Sequence, residues 1–341
     1  MDSFTSHFKN VPTRAALLLG TALGSWVVCV VYTLYLNPEV DHYRQGDVIK
    51  SAWAAKMERE QGAKIVAYGG SSCEFSIDGE RLLANYGLPV VNDGQHAGMG
   101  AVVLTESVLG KLRRGDTLIV ALEPELLATP LNEEPALAVQ FSFAMGHPEW
   151  VLHPALDVGH VNWFSAAASL RPGGYHAFTL LGKWMRRQPL YRYQVRDYAR
   201  SGWARTAVRM ALTGEIGEAP HLSNDARILL ANLSRWCATN RVRVVYSLPW
   251  LYCSPDRFHL LQKRNAEFLI EMIHFIPVLR DQALGADPVA SDFADTPLHL
   301  TETAALRRTD ELGRELRTWD TWTRQDLERA RADVQQAARD P

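Results

Sequence analysis

Ser71 ends an apolar run, Lys64-Ile65-Val66-Ala67-Tyr68-Gly69-Gly70-Ser71-Ser72, that is broken by a glycine pair. Far downstream, His299 follows Asp295 by four residues in Phe293-Ala294-Asp295-Thr296-Pro297-Leu298-His299-Leu300. A serine hydroxyl is a poor nucleophile until a neighbouring base takes its proton. A histidine can act as that base near neutral pH, and a carboxylate on its other ring nitrogen orients it and stabilises its cation. A serine early in the chain, with acid and base together late, suggests a serine hydrolase or acyl transferase built on a parallel sheet. Asp292 is a second candidate for the acid. The glycines fit this reading, because a side chain on a tight strand-to-helix turn is exposed only where the backbone bends sharply.

Residues so far apart meet only if the chain between them builds a scaffold. Short apolar runs alternate with helical patterns, the signature of βαβ units and an α/β fold with a parallel sheet. Strands are expected over 64–69, 88–92, 117–122, 242–247 and 276–279. Helices are expected over 74–86, 101–113, 224–240, 256–274 and 301–318, with Gly115-Asp116 turning into the third strand. Ligands in such sheets collect beyond the carboxyl ends of the strands, where both Ser71 and His299 fall. A developing oxyanion needs preorganised donors, and the backbone N–H of Ser71 is one. Ser72 and Asn92 are further candidates for oxyanion or substrate contacts. His96, in the loop after the second strand, is either a loop histidine satisfied by its neighbours or a substrate contact. Thr301 and Glu302 also read as a helix start, which leaves a packing role open for His299.

With 341 residues, 47% of them apolar and 22% charged, the chain is an ordinary globular sequence with room for a large core. A net charge of −2 and the lack of a Lys/Arg stripe give no case for nucleic acid. The N-terminus is the exception. Residues 15–36, AALLLGTALGSWVVCVVYTLYL, carry no charge and have the length that spans a bilayer. Lys9 and Arg14 precede this run while Glu39 and Asp41 follow it, so residues 1–14 are expected in the cytoplasm and the rest outside. An uncleaved single-pass anchor in an inner membrane is expected, with the main domain periplasmic or extracellular. Its partner is the lipid bilayer.

The remaining organisation is a stalk and helix over 37–62, the α/β domain over 63–318, and a polar, peripheral tail over 319–341. Between 127 and 220 the alternation fails, and an insertion or lid is expected. It holds Trp150, Trp163, Trp184 and Trp203, Tyr175, Tyr191, Tyr193 and Tyr198, and His147, His153, His160 and His176. Aromatics there suit either a packed core or a sugar-stacking platform. The histidines lack metal-ligand spacing, so no metal is expected. No glycine-rich phosphate loop follows a strand, and no cofactor is expected. Cys73, Cys237 and Cys253 lie beyond the anchor, and a Cys73–Cys253 bridge is conceivable because both follow strands.

Gly69-Gly70-Ser71-Ser72-Cys73-Glu74-Phe75-Ser76-Ile77-Asp78 resembles the first block of the SGNH (GDSL-type) hydrolases, in membrane-anchored bacterial members above all. Asp295-Thr296-Pro297-Leu298-His299-Leu300 resembles their C-terminal acid–base block, one residue longer than the common form. The resemblance covers 64–125 and 242–316 but not the insertion. It implies a flavodoxin-like sheet and a Ser71–His299–Asp295 triad, with Gly94 as a second oxyanion donor. It further implies ester hydrolysis or O-acyl transfer on a cell-envelope polysaccharide or glycoconjugate, with an acylated glycan or an acyl-donor protein as partner. One departure stands out. Where the family carries Gly-x-Asn-Asp, this chain reads Ala121-Leu122-Glu123-Pro124-Glu125, and an acid there would repel an oxyanion unless it points away or holds a partner. That favours transfer or an unusual substrate, or else a catalytically inactive domain that binds glycan or scaffolds an envelope assembly.

Overall fold

The apolar runs form strands because β-branched side chains fit a pleated surface covered on both faces. Four strands, β1 (Ile65–Tyr68), β2 (Val90–Asn92), β3 (Thr117–Val120) and β4 (Arg243–Tyr246), line up in the order β2-β1-β3-β4. All three pairings are parallel. The computed structural model describes residues 11–130, 135–170, 174–205 and 221–337. Residues 1–10 of the expected cytoplasmic segment and three stretches of the insertion lie outside them. The expected fifth strand, 276–279, shrinks to a single parallel bridge between Val278 and Tyr246. Pro277 has no N–H to donate, so a ladder does not extend through it. Two short strands that the pattern did not reveal, β5 (Leu251–Tyr252) and β6 (Ala286–Asp287), pair in parallel nearby.

Besides two short helices, Pro124–Ala128 and Glu149–Leu152, the helices are α1 (Val11–Val31), α2 (Pro38–Gln61), α3 (Ser71–Glu74), α4 (Gly79–Tyr86), α5 (Gly100–Leu109), α6 (Pro135–Ala144), α7 (Trp163–Ser169), α8 (Gly174–Met185), α9 (Asn224–Asn240), α10 (Phe258–Met272), α11 (Glu302–Thr318) and α12 (Arg324–Ala337). The chain is thus α/β, a parallel sheet flanked by helices. The expected helix over 74–86 is two helices. Asp78 starts the second by accepting the N–H groups of Glu80 and Arg81, which would otherwise lack partners. Gly87, in the left-handed region at φ 67°, ends it.

One N-terminal helix, Pro12–Leu36, is long and apolar enough to cross a membrane. Its last five residues, Tyr32–Leu36, wind as a π-helix before Asn37 caps α2 by accepting the Glu39 N–H, with Pro38 at the first helical position. The expected stalk is corrected here. α2 lies in the core, with Val40, Tyr43, Trp53, Ala54 and Met57 buried. Each large apolar side chain buried this way contributes about 1.5–3 kcal/mol, enough to hold a polar helix on the domain. The tail is likewise not peripheral. α12 packs on α10, buries Leu327, and receives Arg280 at Asp326 at 2.8 Å. None of the four cysteines is in a disulfide, so the conceivable Cys73–Cys253 bridge is not formed.

α2 also carries a charge into the interior. The fully buried Lys50 ammonium meets the equally buried Glu74 carboxylate at 3.2 Å and donates to the Gly94 carbonyl. The Tyr198 hydroxyl donates to the same Glu74 oxygen. Removing one partner of such a pair strands the other charge in the core. Lys50→Met is therefore expected to cost about 3–5 kcal/mol in urea denaturation, whereas Lys50→Met with Glu74→Leu recovers part of that loss. A cost under about 1 kcal/mol for the single variant would show that Glu74 is not held as a buried charge.

Candidate active site

The turn after β1 is built by close approach. Neither Gly69 nor Gly70 has a positive φ, so the sharp bend expected of them is not why they are glycine. A Cβ on Gly69 would lie 2.2 Å from the Ala121 carbonyl oxygen, and one on Gly70 would lie 2.5 Å from both Glu123 carboxylate oxygens. Glycine lets the strand ends of β1 and β3 come that near. The Glu123 side chain, buried at 1% exposure, then accepts the N–H of Gly70 at 3.1 Å and of Ser72 at 3.0 Å. The acid that looked out of place holds two donors at the start of α3 that have no helical partner. Ser71 sits between them at the first helical position, half-buried, and its own N–H meets no acceptor among the described residues.

His299 and Asp295 are brought together by a tight return of the chain. Phe293 pairs antiparallel with Leu300, and the Thr296 hydroxyl accepts the His299 N–H at 3.2 Å. His299 Nδ1 then lies 2.8 Å from Asp295 Oδ1. With Nδ1–H donated to the acid, Nε2 is the ring nitrogen left to take a proton. The other carboxylate oxygen, Oδ2, accepts Tyr193 at 3.1 Å and Arg192 at 2.9 Å. Burial alone would raise the Asp295 pKa, but His299, Arg192 and Tyr193 together outweigh burial and hold it below the usual carboxylate range. Asp292 plays no part in this pair. It binds Arg307, and its carbonyl accepts the Thr301 N–H.

Phe75 joins the two halves. Its N–H donates to the Ser71 carbonyl, one helical turn back, and its ring lies against the His299 ring with centroids 4.5 Å apart. No hydrogen bond joins Ser71 to His299 among the described residues, and catalytic hydrogen bonds are often loose without substrate. α11 is buckled to the Ser71 segment directly after His299. Thr309 bonds Ser76 and Asp78, Arg81 grips Asp310 through two contacts of 2.7 Å, and a Cβ on Gly313 would strike the Tyr86 ring.

The other candidates have structural employment. Asn92 Nδ2 lies 2.8–3.2 Å from the carbonyls of Cys73, Glu74 and Ile77, and its Oδ1 accepts the Gly94 N–H at 2.9 Å. Asn92 is therefore a clamp on the Ser71 turn, and Gly94 has no free N–H to offer an oxyanion. A Cβ on Gly94 would also lie 2.2 Å from the Glu74 nitrogen, so the glycine is there for packing. Ser72 is buried, with its hydroxyl unpartnered in the protein. His96 caps its own loop by accepting the Gly98 N–H at 2.8 Å and faces Glu39 at 3.5 Å, a loop histidine satisfied by its neighbours. Tyr193 and Arg192 were not identified from sequence. They touch Asp295 from about a hundred residues away, and nothing local in their segment signals it. Among the described residues no cluster of His, Cys, Asp and Glu suits a metal.

Glu125, beside Glu123 and just past β3, has both carboxylate oxygens buried without a partner, and burial raises its pKa to about 7. An unfolded chain keeps the ordinary value of 4.5, so between these values the folded protein holds the extra proton. The stability this gives is complete below pH 4.5 and is lost as pH rises through 7. Glu125→Gln, which stays neutral, should match the parent in melting temperature at low pH and exceed it above neutrality. The difference corresponds to on the order of 3 kcal/mol. A variant no more stable than the parent above neutrality would refute the burial of an ionised Glu125.

No family model, no curated protein and no solved structure matches this chain, so what the site does is argued from its own geometry.

Proposed function

We propose that this chain is a membrane-anchored, extracytoplasmic serine esterase or O-acyltransferase of the SGNH type, with Ser71 as nucleophile, His299 as base and Asp295 as its orienting acid. The observation that carries the reading is the Asp295–His299 pair lying on Phe75, one turn after the Ser71 helix start, at the carboxyl end of a parallel sheet. Ser71 Oγ attacks an ester carbonyl while His299 Nε2 takes its proton and then returns it to the leaving alcohol. The acyl group passes from Ser71 to a sugar hydroxyl or to water. Charges flanking the apolar helix favour an N-terminus in the cytoplasm, and an anchor suits an acyl ester of an envelope polysaccharide or glycoconjugate.

A second reading is a catalytically inactive domain of the same shape that binds glycan or scaffolds an envelope assembly. It is favoured by the Glu123 carboxylate, whose charge beneath the turn opposes an oxyanion at Ser71. Labelling of the full chain in detergent with a fluorophosphonate separates the two. Labelling should be lost in Ser71→Ala, fall by roughly 100-fold or more in His299→Ala, and persist in Ser72→Ala. An unlabelled parent that still binds polysaccharide would decide for the scaffold.

A further inference from the structure

The insertion presents large apolar side chains where a water-facing surface would be polar. Phe164 is 85% exposed, Trp184 67%, Met185 66% and Trp163 64%, with Phe178 and Leu181 beside them on α8. α6 (PALAVQFSFA) and α7 (WFSAAAS) carry no charged residue at all, and α8 (GYHAFTLLGKWM) has one, Lys183, in its last turn. Arg186 and Arg187 follow directly. An apolar face edged by basic residues is the pattern of helices that lie in a membrane interface.

The contact with the N-terminal helix fixes the depth of this face. Trp26 Nε1 donates to the Ala167 carbonyl of α7 at 2.9 Å, and Val30 and Leu34 pack on the core beside α6. The uncharged run 15–36, at 1.5 Å per residue, is about 33 Å long, close to the roughly 30 Å of a bilayer's hydrocarbon. Nearly all of it is needed to span. If the membrane ended short of Trp26, the part left over from residue 15 would cover only about 16 Å. Whatever touches Trp26 therefore sits at the depth of the bilayer.

Resting on the reading of Pro12–Leu36 as a membrane span, we propose that α7 and α8 are embedded in the lipid leaflet on the domain's side, as a second membrane contact beside the span. Trp163, Phe164, Phe178, Trp184 and Met185 face acyl chains, and Lys183, Arg186 and Arg187 face headgroup phosphates. A cavity of about 220 Å³ between Asn37, Glu39, Leu180, Lys183 and Arg192 then lies at the headgroup level, since Asn37 directly follows the apolar run. Arg192, on its wall, is the residue paired with Asp295.

The test uses the full chain with Cys29→Ala, reconstituted in vesicles of phosphatidylcholine and phosphatidylglycerol. An environment-sensitive fluorophore is attached at one introduced cysteine: Leu19→Cys in the span, Phe164→Cys or Trp184→Cys in the insertion, or Ile228→Cys on the exposed face of α9. Lipids carrying a doxyl quencher on the acyl chain are expected to quench the Leu19, Phe164 and Trp184 positions to a comparable degree and to spare Ile228. Quenching at Leu19 without quenching at Phe164 and Trp184 would overturn the embedded insertion and leave the anchor standing. Loss of quenching at Leu19 itself would overturn the anchor, and the insertion's depth with it.

Discussion

Two backbone N–H groups, those of Gly70 and Ser72, end on the single buried carboxylate of Glu123, and the geometry of the Ser71 turn follows from that contact. A helix start leaves several N–H groups without partners, and burying them unpaired costs about 1–3 kcal/mol each. A charged acceptor satisfies them with stronger bonds than a neutral one would. It also requires that nothing stand between the turn and the acid, which is why position 70 has no side chain, while at 69 the Ala121 carbonyl leaves no room for one. The same carboxylate sets an electrostatic limit. With Gly94 N–H held by Asn92, the Ser71 N–H is the backbone donor left for a developing oxyanion, and it works against a negative charge on the far side of the turn. Any acyl chemistry here must draw further stabilisation from the substrate's own groups or from side chains that close over it.

Beneath the turn, Lys50 and Glu74 add a second buried charge pair, tied to Tyr198 and to the Gly94 carbonyl. Such a pair is poor at raising stability, because desolvation offsets most of its attraction. Its effect is to fix position. It pins α2 from below and the Tyr198 segment from the insertion to the last residue of α3. Three stretches distant in sequence are thereby brought to one place, at the residue before Phe75, whose ring lies on His299.

The parallel sheet could be read from the sequence because its strands are short β-branched runs with turn residues between them. The contact between Asp295 and His299 could be read because an acid and a base four residues apart can meet across a tight return of the chain, and the place of Ser71 because it directly follows the β1 run. Spacing was too weak a signal for residues whose role depends on contact. Glu123 looked like a defect, since nothing near it in sequence shows that its oxygens would meet Gly70 and Ser72. Asn92 and Gly94 looked like oxyanion donors, but their hydrogen bonds are spent on each other and on α3. The helix expected within 37–62 is present, but its place in the core was not legible, because α2 is polar on average while its buried positions, Tyr43, Trp53 and Met57 among them, are scattered. Periodicity shows which face of a helix packs when that face is an apolar stripe, not when a few large side chains and a buried lysine hold it.

The Asp295 carboxylate shows how the insertion takes part in the candidate site. His299 takes Oδ1, while Arg192 and Tyr193 take Oδ2. A carboxylate held at both oxygens cannot turn without breaking one set of bonds, so the plane of the acid, and with it the direction of the imidazole, is fixed by residues of the insertion. Tyr191, next in the chain, packs on His42 and Tyr43 of α2, whose start lies at the foot of the apolar helix. A path of direct contacts therefore runs from the end of Pro12–Leu36 through α2 and the 191–193 segment to the acid. A shift of α2 would reach the aim of His299 through this path, and it would reach α3, with Ser71 at its start, through the Lys50–Glu74 pair.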